Sequence, residues 1–187
     1  MPLSTIDPRT ALLVIDLQRG IVAAAAAHAA DRVIHSAAAL CDIFRERGLP
    51  VVLVNVVGRA PGRTEQSPPP ADAPDDWATL VPELGERPTD HRVSKRSWGA
   101  FTNTDLHAHL MALGVTQVVV CGISTSAGVE STARQAYELG YNVTIAVDAV
   151  TDRDPDAHRN SIERILPRIG ECGTVAEVRA LLGRGAG

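Results

Sequence analysis

The chain has 187 residues, a length suited to one domain built on one hydrophobic core. Hydrophobic residues make up 45%, which excludes a disordered chain, and with aromatics at 3% the core must be filled by Ala, Val, Leu and Ile. A formal charge of -4, with Arg59, Arg63 and Arg87 scattered among acids and prolines, excludes the basic face that nucleic acid requires.

In chain order, the first apolar run is Ala11 to Ile15, ending at Asp16. An alanine-rich helix is expected from Ala23 to Glu46, with Val33, Leu40, Ile43 and Phe44 on its apolar face and Gly48 and Pro50 as its stop signal. Val51 to Val57 reads as the second strand. The stretch Gly58 to Pro88, rich in Pro, Gly, Asp and Glu, is too long for an ordinary connection and reads either as an unstructured excursion or as a cover over a pocket or partner surface. A short third strand lies near His91 to Ser94, followed by a helix from Asp105 to Leu113. The fourth strand is Gln117 to Cys121, with a helix from Val129 to Leu139 after it. Asn142 to Val147 is the fifth strand. Asp154 caps a helix from Pro155 to Leu166, with proline at its first position, and a weak sixth strand is expected near Thr174. Continuous β-branched runs alternating with helices predict one domain over 1–187, a three-layer α/β/α fold with a parallel sheet buried on both faces.

No run is long and apolar enough for a membrane span: Ile21 to Ala30 is mostly alanine and is broken by His28. The opening MPLSTIDPRT lacks the apolar run of a secretion signal. Cys41, Cys121 and Cys172, without CxxC spacing, fit a reducing compartment, so the expected location is the cytoplasm. The histidines His28, His35, His107 and His109 fall in helical patterns and are expected on the surface.

Ligands of open α/β sheets bind beyond the carboxyl ends of the strands. Four segments deliver polar groups there: Asp16 and Gln18, then Asn55 and Arg59, then Lys95 to Trp98, and last Gly122 to Gly128. A carboxylate after five apolar residues is costly to bury alone, and Lys95 is its natural partner; a helix cap or simple ion pair is the plainer reading. The backbone N–H groups of Gly122 to Gly128 open a helix and would suit a carboxylate or oxyanion, or the segment is a turn capped by Ser124, Thr125 or Ser126. Cys121 reads more readily as a small core residue than as a nucleophile. No His/Asp pair at ligand spacing follows the second strand, so no metal is expected.

The stretches ALLVIDLQRG (11–20), VSKRSWGAFTNTDL (93–106) and VVVCGISTSAGVESTARQAYELGYNVTIAVDAVTD (118–152) together resemble the isochorismatase-like hydrolases. That resemblance implies a Rossmann-like sheet of about six strands in the order 3-2-1-4-5-6. It also implies a site built from an Asp, a Lys and a Cys. Asp16 and Lys95 match the first two, and Gly128 stands in the cysteine slot. Gln18, Arg59, Trp98, Ile123, Ser124, Thr125 and Ser126 fall where substrate contacts are expected, and a non-proline cis peptide maps to Ile123–Ser124. True isochorismatases resemble this chain in having glycine in that slot; in them the aspartate is a general acid toward an enol ether. The expectation is a cofactor-independent hydrolase of a small organic molecule, cleaving an enol ether, amide or related bond without a thiol. The alternative is a degenerate member that binds a ligand or protein without turnover. The resemblance further implies a dimer or tetramer.

Overall fold

A computed structural model describes residues 3–25, 27–65 and 74–184. The Ser67–Pro70 run lies outside the described residues. Six strands form one parallel sheet: β1 (Thr10–Ile15), β2 (Val51–Val56), β3 (His91–Lys95), β4 (Gln117–Ile123), β5 (Asn142–Thr151) and β6 (Glu171–Gly173). Their order is β3-β2-β1-β4-β5-β6, with every adjacent pair parallel. The helices are α1 (Arg19–Ala24), α2 (Ala27–Glu46), α3 (Leu106–Ala112), α4 (Glu130–Glu138), α5 (Pro155–Asn160) and α6 (Val175–Arg184). None of the described helices is long and apolar enough to cross a membrane.

Alternation along each strand divides the core in two, as a period of two residues demands. Leu12 and Val14, Leu53, and Val119 and Cys121 face one side, against Val33, Leu40 and Phe44 of α2 and Val178 of α6. Leu13 and Ile15, Val52 and Val54, and Val118 and Val120 face the other, against Leu106 and Leu110 of α3 and Ala133 and Ala136 of α4. Both sides are closed, so the strands carry apolar residues at successive positions.

Three expected boundaries shift. The helix expected over 23–46 is divided into α1 and α2, with Ala25 extended (φ -86°, ψ 164°) at the end of α1. The fifth strand runs four residues beyond Val147, because the β4–β5 register shifts between Val120 and Gly122 and pairing resumes at Val150 and Thr151. The helix expected over 155–166 keeps its Asp154 cap but widens at Ser161–Ile165 and tightens at Leu166–Arg168, where Pro167 has no N–H to offer. His107 and His109, expected on the surface, are half-buried: His107 meets the Tyr141 hydroxyl and His109 stacks on His91 at 3.7 Å.

The described part of the 58–88 stretch is a folded cover. Val81 N–H donates to Leu17, Arg19 N–H to Thr79 and Gly20 N–H to Trp77, so this segment runs antiparallel along the chain leaving β1. A side chain at Gly20 would overlap the Trp77 ring at 2.0 Å, which shows how closely the indole lies on the backbone. The far end is clamped to α2 by the buried Arg45–Asp90 pair at 2.6 Å, with Arg45 also donating to the Leu84 carbonyl.

Candidate active site

The site begins where β1 ends. Asp16 has φ 51°, a left-handed conformation that aspartate tolerates better than most residues, and its N–H donates to Val54 of β2. Beside it, Gly122 has φ 122°, and a Cβ there would come within 2.0 Å of the Ile15 carbonyl oxygen. Only glycine allows β4 to close against β1 at this point. Lys95, the last residue of β3, reaches across the end of β2. Its Nζ donates to Asp16 Oδ2 at 2.7 Å and to the Ser97 carbonyl at 3.1 Å.

Both charges are shielded from water: Asp16 is 5% exposed and Lys95 2%. Burial pushes the Asp16 carboxyl up to about 6, against the opposing pull of the Lys95 ammonium. The second carboxyl oxygen, Oδ1, is buried and has no hydrogen-bond partner among the described residues. Gly128 completes the wall. A Cβ at this position would lie 2.9 Å from Asp16 Oδ2 and 2.9 Å from Ile15 Cγ2. The structure thus brings Asp16, Lys95 and Gly128 into one cluster.

The segment after β4 begins with a cis peptide at Ile123–Ser124 and passes through a widened helical turn, Thr125–Val129, into α4. Its N–H groups are not all directed at the crevice. Ser126 N–H and Oγ both donate to Asp152 Oδ2 at 2.8 Å, while Ala127 and Val129 N–H both go to the Ser124 carbonyl. Buried Thr125 Oγ1 is bonded to His158 Nδ1 at 2.8 Å. The expectation that this whole turn offers donors to a ligand is therefore corrected in part: the N–H groups of Ser126, Ala127 and Val129 and the hydroxyls of Thr125 and Ser126 are engaged by the scaffold.

Gln18 is fully buried. Its Nε2 donates to the Val56 and Trp77 carbonyls and its Oε1 accepts from Val56 N–H, so its amide ties β2 and the cover to the chain leaving β1. Asn55 similarly donates to Ala78 and accepts from Ser94. Ile123 is buried in the core against α2, and Ser124 is half-buried. Arg59 and Trp98 stand outside the buried cluster, Trp98 at 68% exposure. Cys121 is fully buried near Cys41, and burial drives its thiol well above the ordinary range, opposite to what a nucleophile needs. Among the described residues no group of three or more His, Cys, Asp and Glu is placed to hold a metal ion. Sequence reasoning missed Trp77, Asp152 and His158. Trp77 had no periodic pattern around it. Asp152 and His158 are brought to the turn by the extension of β5 past the register shift, which ends with Thr151 paired to Ile123.

The sheet is doubly wound, and its buried carboxylate–ammonium pair sits at the switch point, where such α/β folds bind their ligands. The Isochorismatase domain profile matches residues 10–177, and the chain belongs to that family. It is 45% identical to an uncharacterised isochorismatase family protein, YecD, of Escherichia coli O157:H7, over 90% of this chain and 94% of the relative. It is 36% identical to the streptothricin hydrolase of Streptomyces noursei, over 74% of this chain and 48% of that protein. Among solved structures, an isochorismatase family protein from Burkholderia thailandensis superimposes with a TM-score of 0.91 at 39% identity, covering 96% of this chain and 98% of that one.

Proposed function

We propose that this protein is a hydrolase of a small organic molecule in which Asp16 and Lys95 carry out acid–base chemistry without a cysteine nucleophile. The observation that carries the reading is the water-shielded Asp16–Lys95 pair, with one carboxyl oxygen unpartnered and glycine, not a thiol, against the other. Family membership and the hydrolase named among the relatives support the same reaction class.

A carboxyl held near 6 is protonated in an appreciable fraction of molecules close to neutral pH, as a general acid requires. Asp16 delivers its proton to the substrate, most simply to the terminal carbon of an enol ether. Water then adds to the oxygen-stabilised cation, and the hemiketal breaks down to a ketone and an alcohol. Lys95 holds the carboxylate charge left on Asp16 and orients it. The same pair would act on an amide by activating water. The cover is bonded to Leu17, Arg19 and Gly20, residues that follow Asp16 in the chain, so it borders the site.

The test is a panel of enol ethers, amides and ureides assayed with wild type and D16N. Turnover is expected with wild type and is abolished in D16N, whose fold survives. Full activity in D16N would remove the acid–base assignment. No turnover of any compound, with a ligand-induced rise in melting temperature, would instead identify a binding module.

A further inference from the structure

The segment that leaves β5 grips the turn that carries Gly128. Thr151 pairs with Ile123 at the very end of the β4–β5 ladder, so the next residue, Asp152, arrives beside the turn. Its Oδ2 accepts from both the N–H and the hydroxyl of Ser126, and its Oδ1 accepts from Asp154 N–H at 3.3 Å. One turn of α5 later, His158 Nδ1 meets the buried Thr125 hydroxyl. Two consecutive turn residues are thus held by two side chains from one neighbouring segment. Gly128 follows two residues after Ser126 and lies directly on the Asp16 carboxyl group.

We propose that Asp152 and His158 are positioning residues that hold the Ser124–Gly128 turn against Asp16 and so keep water from its carboxyl group. They touch neither Asp16 nor Lys95 and act through the turn. The inference deepens the acid–base reading and rests on Asp16 being the working carboxyl. The charged group facing Asp16 is Lys95 of β3; the turn contributes no titratable side chain on that side. Loosening the turn therefore changes the exposure of Asp16 before it changes its charge partner.

The test follows the Asp16 carboxyl carbon by NMR in substrate-free protein labelled with carbon-13 at aspartate Cγ. The signal is assigned by its loss in D16N. D152A and H158A are each expected to lower the Asp16 titration midpoint by about one unit, as water reaches the ionised form. H158N, which keeps a hydrogen-bonding atom near the position of Nδ1, is expected to retain the wild-type midpoint. A purely structural role would lower the melting temperature and leave the midpoint in place. An unmoved midpoint in folded D152A and H158A overturns the proposal. If either alanine variant does not fold, T125V, which removes the His158 contact from the turn side, decides by the same readout: a fall supports the proposal and no change overturns it. The readout needs no turnover, so the two failures are distinguishable: a failed substrate panel removes the catalytic role of Asp16 without moving any midpoint, and a static midpoint removes the positioning role without changing the panel.

Discussion

Gly128 sets what can fit against the Asp16 carboxyl. With a hypothetical Cβ 2.9 Å from both Asp16 Oδ2 and Ile15 Cγ2, any side chain there must displace a carboxyl pinned by Lys95 or a methyl sealed in the core. Overpacking of this kind costs about 1–3 kcal/mol. G128A is expected to lose stability on that scale in urea unfolding, and G128C to gain no amidase activity, because the thiol would arrive by pushing Asp16 aside. The raised Asp16 carboxyl has two further consequences. The folded state binds this proton more tightly than the unfolded chain, whose value is near 3.8. Its contribution to stability is therefore full below pH 3.8 and is lost as pH rises to about 6. The loss is on the order of 3 kcal/mol, since the value rises by about two units and one unit corresponds to about 1.4 kcal/mol. Urea unfolding of wild type should show this decline between those limits and D16N should not. For turnover, kcat/KM on an enol ether is expected to fall as pH rises through about 6, the limb belonging to a required acid. Asp16 and Lys95 were legible because a charge after an apolar run needs a partner. The engagement of Gln18, Thr125 and Ser126 was not, because a neutral amide or hydroxyl can be satisfied by any backbone or polar group and so does not single out its partner as a buried charge does.

At the scale of elements, the 74–90 cover explains how a proline- and glycine-rich stretch becomes ordered. It borrows backbone hydrogen bonds from the chain leaving β1 and is fixed at its far end by Arg45 and Asp90, whose side chains are 6% and 3% exposed. Removing one member of such a pair leaves the other charge buried alone, at a cost of about 3–5 kcal/mol. D90A should destabilise the protein on that scale by urea unfolding, whereas a change at the exposed Arg92–Glu86 pair should cost well under 1 kcal/mol, as surface pairs do. Composition showed that 58–88 was no ordinary loop, but its pairing partners could not be read from composition. The extent of β5 was hidden for a similar reason: Asp148 looks like the end of an apolar run, and the register shift that carries the strand past it is a property of the β4–β5 pair.

For the whole molecule, the alternation of apolar runs and helices was enough to give a parallel sheet with two covered faces, because a strand buried on both sides leaves a signature that a half-exposed strand does not. The missing piece was α6. Its spacing of Val175, Val178 and Leu182 is helical, but the run is short and begins directly after the strand at Glu171–Gly173, so its three apolar positions do not stand out from that strand. This helix closes the face shared with α2, burying Val178 and tying Arg47 Nη1 to the Leu182 carbonyl at 2.6 Å. A chain ending at Gly173 is expected to lose cooperative thermal unfolding, since Leu3, β5 and α2 would all be uncovered at once. The Trp77 contact with Gly20 also equips the protein with an optical probe. The chain has only two tryptophans, one half-buried on that glycine and one, Trp98, facing solvent. In W98F the remaining indole would report the cover alone, and the colour and quenching of its fluorescence would distinguish a closed molecule from an open one in real time.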